Sequence, residues 1–160
     1  MNSVEALEEL FAHAPAAIFR ERKDAIPGDL RISWRLSVLC MLLQRFRNNR
    51  ATLEHLHIVW WAMRSPDSQQ LFLRWFDGDK RPDELIVRFD PSLSVTVDLA
   101  LGEDLVEVSS TGAIGLSLIG YELALEVWKE PEVLVAEKAF LSKLPRKMTQ
   151  SSLKELTEWI

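Results

Sequence analysis

The stretch LVEVSSTGAIGLSLIGYELALEV, residues 105–127, changes its period halfway along, and that change decides the fold. Val106 and Val108 alternate with Glu107 and Ser109, Ser-Ser-Thr-Gly interrupts, and Ile114 and Leu116 resume the alternation. Strict alternation on both sides of a glycine-containing break predicts a β-hairpin turning around Gly112. Beyond Ser117 the spacing becomes helical, through Leu118, Ile119, Leu123, Ala124, Leu125 and Val127. Ser117 is then the expected N-cap, its hydroxyl accepting one of the unsatisfied N–H groups of the first turn. Gly120 falls in that turn, where a missing Cβ lets another backbone approach closely. A small hairpin flanked by helices predicts a winged helix.

The rest of the chain fits one such domain. Its 160 residues are enough for a sizeable core, and 48% apolar with 27% charged residues is a globular composition. The longest apolar run, 36–43, is interrupted by Ser37 and is too short to span a bilayer. Met-Asn-Ser-Val-Glu has neither a basic start nor a long apolar core, so no signal peptide is expected. A single cysteine, Cys40, excludes an internal disulfide, and the expected location is the cytoplasm. Six tryptophans are expected to serve mostly as core, with some as interface anchors.

Charge is unevenly spread around a net of −5. Residues 20–50 carry eight basic against three acidic side chains, net +5. Residues 83–137 carry twelve acidic side chains against Arg88 and Lys129, net −10. Residues 138–160 carry five basic and two acidic, net +3.

Periodicity and capping signals place the helices. Ser3 caps a short one carrying Val4, Leu7, Leu10 and Phe11, and residues 13–27 read as irregular. Residues 32–46 form a helix apolar nearly all round, hence buried, ended by Arg-Asn-Asn-Arg at 47–50. Thr52 caps a helix to about Arg64, and Ser65-Pro66 starts another that stops at Asp77-Gly78. Leu85 to Phe89 reads as a short strand, and Asp90-Pro91 opens a helix ending at Gly102. Glu130-Pro131 opens a helix that Pro145 ends, and Ser152-x-x-Glu155 is a capping box for a last one. The fold expected is α+β and mostly helical: a winged helix-turn-helix domain with N-terminal helices and a C-terminal helical extension. Residues 1–30 form an N-terminal arm, 31–128 the winged-helix core and 129–160 the extension of a single 1–160 domain.

No catalytic constellation is legible. His55 and His57, two apart, point about 200° from each other on a helix, which is poor chelating geometry. Cys40 sits in the most apolar helix, as an inert core residue would. Phosphate loop, nucleophile elbow and cysteine cluster are all missing from the sequence. No enzymatic activity, cofactor or metal is expected.

In a winged helix the helix before the hairpin usually enters the major groove. Here that is PSLSVTVDLAL, residues 91–101, which contains no Lys, Arg, Asn or Gln and whose one charge is Asp98. Base readout and phosphate contact rest heavily on the residue types it lacks. This helix is therefore expected to be mostly a packing element, or to meet a protein with its outer face, with Asp98, Glu103 and Asp104 as candidate interface residues. QRFRNNR, residues 44–50, offers Arg45, Arg47 and Arg50 as candidate contacts to DNA phosphates, weak and independent of sequence. Otherwise they are solvated cations complementing a helix end.

Two stretches together resemble a family. SWRLSVLCMLLQRFRNNRATLEHLHIVWWAMRSPDS, residues 33–68, is similar to the N-terminal half of the middle components of bacterial ABC-three-component conflict systems. IVRFDPSLSVTVDLALGEDLVEVSSTGAIGLSLIG, residues 86–120, is similar to their winged-helix half, where a Leu-Thr-x-x-Gly-like pattern follows the hairpin. In this chain the pattern is Leu116-Ser117-Leu118-Ile119-Gly120. The resemblance spans roughly residues 30–128, and its motifs also occur in other winged helices, transcription regulators included. It implies a non-catalytic adaptor bridging an SMC-like or ABC-type ATPase subunit and an effector subunit, in defence against phage or plasmids. It carries over no catalytic residues, and no membrane association is expected. The alternative expectation is a winged-helix DNA-binding transcription regulator.

Overall fold

The computed structural model describes residues 31–79 and 87–157, with Val4 alone from the first thirty. The expected Ser3-capped helix and irregular 13–27 segment lie outside the described residues. Helix α1, Ile32–Leu43, is the hub. Val38 to Leu43 are six consecutive fully buried residues, so neighbours surround this part of the helix on every face. Strand β1, Arg50–Ala51, follows, then helices α2, Leu53–Met63, α3, Pro66–Phe76, and α4, Pro91–Gly102. Strands β2, Val106–Val108, and β3, Ile114–Leu116, form the hairpin. Helices α5, Leu118–Lys129, α6, Val135–Lys143, and α7, Gln150–Thr157, complete a mostly helical α+β fold.

Local chemistry sets the helix starts as expected. Thr52, Ser65, Asp90 and Ser117 each accept a backbone N–H of the following first turn. Ser117 does more than cap. Its Oγ accepts from Gly120 N at 3.0 Å and donates to the Asp104 carbonyl at 2.5 Å, while its own N–H donates to Leu105 O at 3.1 Å. The start of α5 is thereby docked on the end of α4, where a cap bond alone contributes about 1 kcal/mol. The hairpin turns at 109–113, with Gly112 at φ +78 and Ser109 N donating to Ala113 O.

The sheet has a third strand that alternation could not reveal. β1 pairs antiparallel with β3 (Arg50 opposite Gly115, Ala51 opposite Ile114), so β3 is central in the order β1-β3-β2. β1 is only two residues long, too short for a period.

Four boundaries differ from expectation. Residues 87–89 carry no strand: they form the extended lead into Asp90, and Leu85 and Ile86 lie outside the described residues. Helix α1 stops at Leu43 and not at Phe46, because Phe46 is extended, φ −88 and ψ 151, and bridges Met148. Helix α6 starts at Val135 and not at Pro131, because Leu134 adopts a left-handed conformation, φ 52, that a continuous helix excludes. The last cap lies three residues earlier than expected. Thr149 Oγ1 accepts from Ser152 N and Ser152 Oγ accepts from Thr149 N, a reciprocal arrangement of the capping-box kind with Ser152 as its C-terminal member.

Residues 129–157 share the main core. Phe140, Leu141, Leu144, Met148, Leu153 and Leu156 belong to the same buried cluster as α1 and α2. Tryptophan N–H groups tie distant segments together: Trp34 to Glu137 at 2.8 Å, Trp128 to Gln44 at 3.0 Å and Trp60 to Asp90 at 3.3 Å. Among the described residues no helix is long and apolar enough to cross a membrane.

Candidate interaction surfaces

Two surfaces collect the side chains singled out in the sequence. The first follows from how α4 is buried. Leu93, Thr96, Val97 and Ala100 face the core, which turns Val95, Asp98 and Leu99 outward. These are spaced i, i+3 and i+4, one face of a helix. Val95 is 56% exposed and Leu99 39%. Glu103 and Asp104 continue the surface at the helix end, both exposed. Because Ser117 is bonded to 104–105, the start of α5 lies alongside, with Leu118 72% and Ile119 54% exposed. The result is apolar side chains interleaved with carboxylates. Among the described residues none of Asp98, Glu103 and Asp104 sits in an ion pair. The sequence identified the carboxylates but not Val95 and Leu99, for which the spacing with Asp98 was the available signal.

The second surface surrounds the 44–50 segment, whose three arginines the fold divides. The Arg45 guanidinium stacks 4.8 Å over the Trp128 ring, and its Nε is buried without a hydrogen-bond partner. Burial, and the nearby Arg146 cation, hold its pKa below the usual value. Arg45 thus serves packing between the end of α1 and α5. Arg47 and Arg50, both exposed, line a different place, an open cleft of about 390 Å³ closed by the hairpin tip and the start of α7. Asn48 and Asn49 between them are left-handed, φ 59 and 52, a conformation asparagine tolerates better than most.

The far wall of the cleft was not foreseen. Phe46 and Met148 form a parallel bridge, with Arg47 N donating to Met148 O at 2.8 Å and Met148 N to Arg45 O at 2.7 Å. This brings the exposed Arg146 and Lys147 of the basic tail beside the basic segment of 44–50. The signal was present as two separate basic blocks, but not the pairing that joins them.

The histidines are core residues. His55 and His57 are each 6% exposed, and burial holds both pKa values below the usual one, against the opposing pull of Glu54 and Asp90 respectively. His55 Nδ1 meets Thr52 Oγ1 at 2.7 Å, while the His57 ring lies 4.6 Å from that of Phe89 and its Nδ1 is buried without a partner. Burial alone would raise the Asp90 carboxyl, but hydrogen bonds from Ser92 and Trp60 and the Arg64 cation together hold it below the usual range. Burial pushes the Cys40 thiol up to about 12, as an inert core cysteine requires. Among the described residues no three His, Cys, Asp or Glu side chains are grouped to hold a metal ion.

The histidines set a pH dependence. A depressed folded-state pKa means that the unfolded chain binds more protons, so stability falls as pH drops below about 6.5 toward the folded values. The denaturant midpoint is expected to fall between pH 7 and pH 5, and to fall less in His57→Leu. An equal fall in parent and variant would show that His57 is not a source of the loss.

No protein-family model, curated protein or solved structure matches the chain.

Proposed function

We propose that this chain is a non-catalytic winged-helix adaptor subunit of a cytoplasmic bacterial assembly, bridging an SMC-like or ABC-type ATPase and an effector in defence. The observation that carries it is the outward face of α4. In a winged helix that face would read DNA, yet here it presents Val95, Asp98 and Leu99, continued by Glu103 and Asp104. Apolar side chains interleaved with unpaired carboxylates suit a partner protein with a basic, partly apolar surface, and would repel a polyanion. The winged-helix part of the reading is supported by the order α1, β1, α2, α4, β2, β3, with α3 inserted between α2 and α4 and with β3 central. The partner identities rest on the resemblance of residues 33–68 and 86–120.

Affinity purification of the tagged chain from its native cells, with nuclease present, tests this. Stoichiometric recovery of an ATPase subunit and a third subunit is expected, together with their loss from the Asp98→Lys, Glu103→Lys, Asp104→Lys variant. A solitary protein would overturn the adaptor reading. Unchanged recovery with the variant would remove this face as the docking site. The second reading, a DNA-binding regulator, is favoured by the Arg47 and Arg50 cleft at the hairpin, and demands duplex binding that depends on sequence.

A further inference from the structure

We infer that the cleft between β1, the hairpin tip and the start of α7 binds the phosphodiester backbone of duplex nucleic acid, without reading sequence. Its chemistry is that of a phosphate site. Arg47 and Arg50 are exposed, and among the described residues neither guanidinium sits in an ion pair. Hydroxyls of Thr111, Thr149 and Ser151 share the lining. Arginine, hydroxyl and backbone N–H groups are the donors that proteins commonly turn toward phosphate oxygens.

The arginine is also held in place. The Arg50 side chain crosses the sheet over Gly115, where a Cβ would stand 2.9 Å from Arg50 Nε. Glycine at the centre of the middle strand opens the channel in which the guanidinium stem lies. Glu107, opposite Gly115 on β2, occupies the same row and forms no ion pair with Arg50. The Phe46–Met148 bridge then brings Met148, Thr149, Gln150 and Ser151 to the far wall of the cleft. Two cations and the hydroxyls of two distant stretches so share one cleft.

The lining also discriminates among phosphate ligands. It contains no aromatic side chain on which a base could stack and no carboxylate that could hold a magnesium ion. A free nucleotide would leave its base unrecognised, and single strands usually rely on stacking platforms. An open cleft that offers cations, hydroxyls and the carboxamides of Asn48 and Gln150 fits a duplex backbone. This inference does not depend on the adaptor reading, because it concerns the isolated chain and another surface.

Fluorescence anisotropy of the purified chain with two labelled 20-base-pair duplexes of unrelated sequence tests it, across a salt series. Binding is expected to be weak and equal for both, with Kd on the order of 10⁻⁴ to 10⁻⁶ M at physiological salt and tighter as salt falls. Arg47→Gln with Arg50→Gln should weaken both equally and make the slope of log K against log salt shallower by roughly 2. Thr111→Asp, at an exposed turn position, should also weaken both. Arg88→Gln with Lys129→Gln, which removes the same charge from the acidic stretch, should leave binding unchanged. The inference is overturned if the parent fails to bind at low salt, if the control pair loses as much as the cleft pair, or if single strands of equal length bind tighter than duplex.

Discussion

Gly120→Ala is expected to destabilise the protein by ~3 kcal/mol or more, at or beyond the upper end of ordinary overpacking. On helix propensity alone the change would help by up to ~1 kcal/mol, since alanine is the better helix former. Geometry reverses the sign. A Cβ at residue 120 would stand 2.0 Å from the Leu105 carbonyl oxygen and 2.9 Å from its carbon. The obstacle is backbone, so no rotamer change relieves it. Backing α5 away would stretch Ser117 N to Leu105 O and Ser117 Oγ to Asp104 O, the two bonds that dock this helix on the end of α4. Denaturant unfolding of parent and variant checks this. A variant as stable as the parent would mean that α5 does not start against residues 104–105.

Phe140→Ala carries the second large effect, ~3–5 kcal/mol, the range for removing a buried aromatic side chain. Phe140 is 1% exposed, and its ring lies 6.4 Å from that of Phe72 on α3. The loss is expected to appear as a shift of one cooperative transition, whether followed by tryptophan fluorescence or by circular dichroism. That outcome distinguishes a C-terminal segment built into the core from one tethered beside it. If the main transition stays put and only a minor one moves, residues 129–157 unfold separately.

The hairpin, Ser117 and the role of Gly120 were legible because each is a local matter: a period of two, a turn glycine, a cap hydroxyl. Thr52, Ser65 and Asp90 were legible on the same ground. What escaped was set by partners far along the chain. Strand β1 exists because β3 offers an edge to residues 50–51, and two residues carry no pattern of their own. Leu134 is left-handed although leucine has no preference for that region, so the late start of α6 had no local sign. At 149–152 a run of threonine, glutamine and two serines offered several caps, and the hydroxyl chosen was Thr149.

The candidate surfaces divide the same way. Asp98, Glu103 and Asp104 could be marked by charge, whereas the Val95–Leu99 face went unmarked although its spacing carries the signal. The arginines of 44–50 could be marked as a group, but not that Arg45 would be spent on Trp128 while Arg47 and Arg50 face a cleft. That division depends on where α5 and residue 148 return, which no window of sequence contains.

The bridge between Phe46 and Met148 also imposes an order in time. A ribosome releases residue 46 long before residue 148, so a chain still being synthesised carries its basic segment without the bridging segment that completes the cleft. The same holds for a copy clipped ahead of residue 145. The cleft is then complete only after residue 151 is made, and the later stretch serves as the clasp on the earlier one.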